Sequence, residues 1–102
     1  MNIAVEYVTF RLKKGISDDE FFPASDKFNE EFLKKQNGYI ARRVLKEGDL
    51  WADLVFWEDK ADHLNAMEAS ENDDTSKEYL SMLNLSAKGS SYHVFTTVKE
   101  YK

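Results

Sequence analysis

The chain has 102 residues, 42% of them hydrophobic and 14% aromatic, with no cysteine and a formal net charge of -5. This is enough apolar material for one core and leaves no room for a disordered chain. Its 14 basic residues are scattered among 19 acids, with adjacent basic pairs at Lys13-Lys14, Lys34-Lys35 and Arg42-Arg43, which argues against nucleic acid as a partner. The lack of thiols excludes disulfides, thiolate metal sites and thiol nucleophiles.

No segment approaches the ~18 consecutive apolar residues of a membrane span. The stretch Met1 to Leu12 carries Glu6 and Arg11 where a signal peptide is uniformly apolar. The expectation is a cytoplasmic protein with no membrane partner, residues 1–102 forming one domain.

Residues 3 to 12 alternate, with Ala4, Val8, Phe10 and Leu12 on one face and Val5, Tyr7, Thr9 and Arg11 on the other. Bulky groups on both faces predict a central strand. Lys14-Gly15 turns the chain, and Ser17-Asp18-Asp19-Glu20 is a capping box that opens a helix. Phe21, Ala24 or Ser25, Phe28 and Phe32 then recur at spacings of three and four, a stripe that faces a core. Pro23, lacking an N–H, is expected to distort the first turns or to move the regular start to about residue 22. Asn37-Gly38 supplies the stop.

From Gly38 to Trp57 two runs rich in β-branched and aromatic residues flank Gly48-Asp49, a strong hairpin signal. In the second run Leu50, Ala52, Leu54 and Phe56 form an apolar face, and Trp51, Asp53, Val55 and Trp57 a face that mixes aromatics with a charge. Two helices cover only one side of a sheet, so the mixed face is expected to be buried between two chains. Asp59 is the N-cap of a helix that carries Ala61, Leu64 and Met67 along one side and ends near Ser70. Glu68 to Glu78 reads as an acidic loop, lacking the central Gly and terminal Glu of a calcium loop. Tyr79 to Leu85 resumes a short helix that Gly89 ends. A last strand, Ser91 to Tyr101, sets Tyr92, Val94, Thr96 and Val98 against His93, Phe95, Thr97 and Lys99.

The order is β-α-β-β-α-β, an α+β ferredoxin-like pattern with an antiparallel four-stranded sheet. With Gly38-Tyr39-Ile40, Arg42-Arg43, Trp51-Ala52-Asp53 and Phe56-Trp57-Glu58-Asp59 in this order, the chain resembles the dimeric α/β-barrel superfamily over Ile3 to Tyr101, specifically small proteins related to antibiotic-biosynthesis monooxygenases. The resemblance implies a homodimer in which two sheets pack as a barrel, with a pocket between each sheet and its helices. It implies a small-molecule-binding protein, in some relatives a cofactor-independent oxygenase of phenolic or polyketide-like substrates. The haem-cleaving branch is disfavoured: its first-strand Asn falls at Tyr7, its helix Trp near Ala66, and residues 74 to 78 lack its His. Trp57 matches the junction Trp of the phenol-oxidising branch.

The candidate residues each carry two readings. His93, mid-strand, is a general base towards a phenol or a hydrogen-bonded histidine at a sheet or dimer interface. Asp53 needs a cation if buried, from Arg42 or Arg43 according to register; it is an interface ion pair or an acid that orients His93 or a substrate. Tyr7 and Trp57 are core aromatics or a ligand platform, and Arg43 is the anion partner in the functional reading. Glu6 is a strand-end residue or a pocket acid, and His63 lies on the exposed-looking side of its helix. No paired histidines, phosphate loop or nucleophile elbow is present, so no metal or organic cofactor is expected. The alternative class is a non-catalytic homodimeric binding module.

Overall fold

The computed structural model describes residues 2–102 as β1 (Ala4–Leu12), α1 (Asp18–Glu31), a 3-10 turn at Leu33–Lys35, β2 (Tyr39–Glu47), β3 (Leu50–Trp57), α2 (Lys60–Ser70), α3 (Asp74–Ser81), β4 (Leu83–Asn84) and β5 (Ser91–Thr96). All pairings are antiparallel. The order is β2-β3-β1, with β5 beside residues 4–9 of β1 and the two-residue β4 beside Arg11 and Leu12 on the same edge. This is the ferredoxin-like α+β arrangement, with β1 central.

The ends of α1 follow from the sequence. Ser17 Oγ accepts from the Glu20 N–H at 3.2 Å and the Ser17 N–H donates to Glu20 Oε1 at 3.3 Å, a capping box that contributes about 1 kcal/mol. The expected disturbance at Pro23 is corrected: the helix runs from Asp18 with Pro23 inside it. Pro23 is exposed, and so is Asp19, whose carbonyl loses its helical partner, so water can take that bond.

Between β2 and β3 the chain reverses through Gly48 at φ +61, and at the end of the 3-10 segment through Gly38 at φ +82. Gly38 also meets α2 closely, since a Cβ there would lie 2.6 Å from that of Asp62. Both backbone angle and space therefore require glycine.

The helices cover the face of the sheet formed by Ala4, Glu6, Val8 and Phe10 of β1, Trp51, Asp53, Val55 and Trp57 of β3, and Tyr92 and Val94 of β5. This reverses one expectation. The mixed aromatic and charged face of β3 is the helix-covered one, and Leu50, Ala52, Leu54 and Phe56 lie on the open face. The reason is partner chemistry: Trp51 packs 4.8 Å from the ring of Phe21 and 6.4 Å from that of Phe10, and Asp53 finds a cation on β2. Fully burying a ring such as Phe21 contributes about 1.5–3 kcal/mol, and the apolar strand face has no comparable partners on the helix side.

Three further expectations are corrected. In α2 the inward residues are His63 and Ala66, while Leu64 is 56% exposed. The acidic segment is not all loop: Asp73 caps α3 by accepting from the Ser76 N–H, so the helix starts at Asp74 rather than at Tyr79, and Leu83-Asn84 pair with β1 instead of continuing it. The last strand ends at Thr96, five residues before Tyr101.

Candidate functional site

Between the sheet and the helices lies a cavity of about 360 Å³. Val8 and Val55 of the sheet, Phe28 of α1, Met67 of α2, and Leu80 and Leu83 around the end of α3 supply apolar wall. Two clusters of polar groups reach it, one on β3 and one on β1.

The first is built on Asp53. In the β2–β3 register Arg42 lies opposite Val55 and Val44 opposite Asp53, so Arg42 is the diagonal neighbour of Asp53 on the same face. Arg42 Nε donates to Asp53 Oδ1 at 2.9 Å and its Nη2 to Oδ2 at 3.0 Å; Nη1 donates to the Ser25 carbonyl at 3.0 Å. Tyr79 Oη donates to Asp53 Oδ2 at 2.6 Å. The guanidinium carbon stands 5.3 Å from the Phe28 ring centroid and 5.0 Å from that of Tyr79, and those rings stack at 4.6 Å. Burial and the Asp53 charge push the Tyr79 phenol well above its ordinary pKa. Burial by itself lowers that of Arg42, but the Asp53 hydrogen bonds and charge outweigh it and the result is raised. Both oxygens of Asp53 are occupied, so this cluster is a neutral, closed pair with a tyrosine clasp.

The second is built on Glu6. His63 Nδ1 lies 3.1 Å and Trp57 Nε1 3.3 Å from Glu6 Oε1, and Tyr92 Oη lies 2.8 Å from His63 Nε2. A carboxylate accepts from the Nδ1–H of His63, and in that tautomer Nε2 accepts from the Tyr92 hydroxyl. Burial and the Glu6 charge raise the Tyr92 pKa to about 12, so its phenol remains a donor at neutral pH. His63 is 1% exposed, which corrects its expected surface position: the three-four periodicity of α2 favoured the more apolar Leu64, but Glu6 and Tyr92 give the imidazole two hydrogen-bond partners. Sequence reading had no means to find this, because the three groups are 57 and 29 residues apart along the chain.

Of the residues singled out in the sequence, Asp53 and Trp57 stand on this helix side. Arg42, not Arg43, is the cation of Asp53. Tyr7, Arg43 and His93 stand on the open side of the sheet: Tyr7 and His93 are directly paired, Phe95 lies 6.2 Å from the Tyr7 ring and 5.2 Å from the His93 ring, and Arg43 is opposite Leu54. A ligand in the cavity is thus separated from His93 by the sheet. Among the described residues no three His, Asp or Glu side chains come together to hold a metal ion, and no helix is long and apolar enough to cross a membrane.

No protein-family profile and no curated protein sequence matches the chain. Solved structures do match in fold. SnoaB, a cofactor-independent oxygenase from Streptomyces nogalater, superposes with a TM-score of 0.78 at 14% identity, over 98% of this chain and 97% of that one. A conserved protein from Methanosarcina mazei Go1 gives 0.68 at 19% identity, over 93% and 92%. A proposed antibiotic biosynthesis monooxygenase from Bacillus cereus gives 0.65 at 19% identity, over 100% and 97%.

Proposed function

We propose that this chain, which has the ferredoxin-like fold of the antibiotic-biosynthesis-monooxygenase-like proteins, binds a small aromatic molecule between its sheet and its helices and oxygenates a phenolic or polyketide-like substrate there without metal or organic cofactor. The supporting observation is the cavity of about 360 Å³, whose largely apolar wall is interrupted by the Glu6 and Asp53 clusters. An apolar pocket with a few convergent polar groups is the usual form of a small-molecule site. In this reading the hydrocarbon wall holds the rings and the polar groups orient the hydroxyls. Trp57 acts through Glu6, and Asp53 shapes the wall with Arg42.

In this reading a second copy of the chain covers the open sheet face, across the sheet from the cavity. Ala52, Leu54 and Phe56 of β3 stand there with Leu45, Tyr7 and Phe95, and Leu45 and Phe95 are about half exposed in the single chain. His93, Tyr7 and Arg43 serve that contact, so His93→Ala leaves turnover per folded dimer unchanged. Sedimentation equilibrium is expected to give a dimer at micromolar concentration and Leu54→Lys a monomer.

The oxygenase reading is tested by supplying an anthrone, a tricyclic aromatic ketone whose enol tautomer is a phenol, to metal-free protein and following dioxygen uptake against a protein-free control. Turnover is expected, and a loss of at least 10-fold in Leu80→Trp, whose added ring enters the cavity from an exposed position on α3. Uptake equal to the control, with the aromatic still bound, selects the non-catalytic binding module instead.

A further inference from the structure

Glu6 and Asp53 share the cavity wall, yet only one of them has an oxygen to spare. Every oxygen of Asp53 is taken by Arg42 or Tyr79. In Glu6 both donors, His63 Nδ1 and Trp57 Nε1, converge on Oε1; Oε2 accepts no hydrogen bond among the described residues. The Glu6 side chain is 11% exposed and forms part of the cavity lining. Two rigid rings held by the fold therefore fix the carboxylate and leave its second oxygen open to whatever enters.

We infer that Glu6 Oε2 is the acceptor for a hydroxyl of the cavity ligand, and that this ligand is an uncharged aromatic alcohol of the phenol class rather than a carboxylate or phosphate. The inference rests on the cavity being the ligand site. Charge supports the class: of the two carboxylates in the lining Asp53 is neutralised by Arg42, while Glu6 has no lysine or arginine partner, so an anionic ligand at Glu6 meets a like charge. Phenols are strong hydrogen-bond donors, and the bond to an ionised oxygen in a partly desolvated wall is of the stronger, charge-assisted kind. Tyr92 is a positioning residue. Its hydroxyl holds Nε2 of His63, which keeps the Nδ1 proton on the Glu6 side, and with it the open oxygen in place.

The experiment is a matched set of probes, 2-naphthol, naphthalene and 2-naphthoate, titrated at pH 7 into wild-type protein, Glu6→Gln and Tyr92→Phe by isothermal calorimetry. For the wild type, 2-naphthol is expected to bind about 10- to 100-fold more tightly than naphthalene. The naphthoate is expected to bind more weakly than the naphthol by at least 10-fold. Glu6→Gln keeps a carbonyl oxygen for His63 and Trp57 but loses the charge; it should reduce the naphthol preference to within about 3-fold of naphthalene while leaving naphthalene affinity unchanged. Tyr92→Phe should lower the preference part of the way, a selective change that loss of packing alone does not produce. Equal binding of naphthol and naphthalene to the wild type, or tightest binding of naphthoate, overturns the assignment of Glu6 and of the ligand class while the cavity reading stands. Should none of the three probes bind, the cavity reading fails and the inference with it. The wild-type comparison decides the matter even where a variant does not fold.

Discussion

Two carboxylates stand on the same face of the same sheet, and the structure treats them in opposite ways. Asp53 is held by a bidentate guanidinium and a tyrosine, with no oxygen left over; Glu6 is held by an imidazole and an indole on one oxygen only. A buried charge that is balanced by a cation becomes part of the framework, because every group around it depends on the pair staying intact. A carboxylate held by ring N–H donors on one side keeps an open lone pair, and so remains available to a ligand.

The largest way to break this contrast is Arg42→Met. It keeps much of the side-chain volume but leaves Asp53 buried without its cation, and unfolding by urea is expected to show a loss of about 3–5 kcal/mol. A change below 1 kcal/mol would falsify the view of this pair as framework. Tyr79→Phe removes one charge-assisted bond from the same carboxylate and should cost about 1.5–3 kcal/mol. At the other cluster Glu6→Gln should cost only about 1 kcal/mol or less in the same assay, since its donors keep an acceptor; an equal or larger loss than at Tyr79 would erase the distinction.

A further effect is read in alkali. The pKa of Tyr92 is raised to about 12 and that of Tyr79 well above its ordinary value, against about 10 for an unfolded tyrosine. Above pH ~10 the unfolded chain releases these protons while the folded chain retains them. The stability they confer is therefore complete below pH ~10 and is lost as pH rises through the folded values. Urea midpoints should stay level with respect to these groups up to about pH 10 and then fall. Tyr92→Phe should flatten part of that fall, and an unaltered slope would remove Tyr92 from the account.

Much of the fold follows from local chemistry along the chain. The capping box at Ser17, the Phe21-Phe28-Phe32 stripe, the turn at Gly48-Asp49 and the N-cap at Asp59 are all contacts between residues within about one to four turns of one another, and each forms as the sequence pattern implies. The alternation of β1 likewise separates Ala4, Val8 and Phe10 from Val5, Tyr7 and Thr9 correctly.

What the sequence by itself could not determine was which side of each alternation meets the helices and which polar groups meet one another. Period-two alternation defines two faces of a strand without orienting them. A purely apolar face looks like the core face, yet β3 turns Trp51, Asp53 and Trp57 inward because Arg42, Phe21 and Glu6 are waiting there from other elements. His63 was lost to the same effect: in α2 helical periodicity ranks Leu64 as the inner residue, and only the arrival of β1 and β5 beside the helix gives the imidazole two hydrogen bonds that outweigh a buried leucine. Hydrogen-bond partners distant along the chain are set by tertiary packing. The element order belonged to the sequence, and the site, resting on Glu6, His63, Trp57 and Tyr92 from four different elements, came into being only when the sheet closed against its helices.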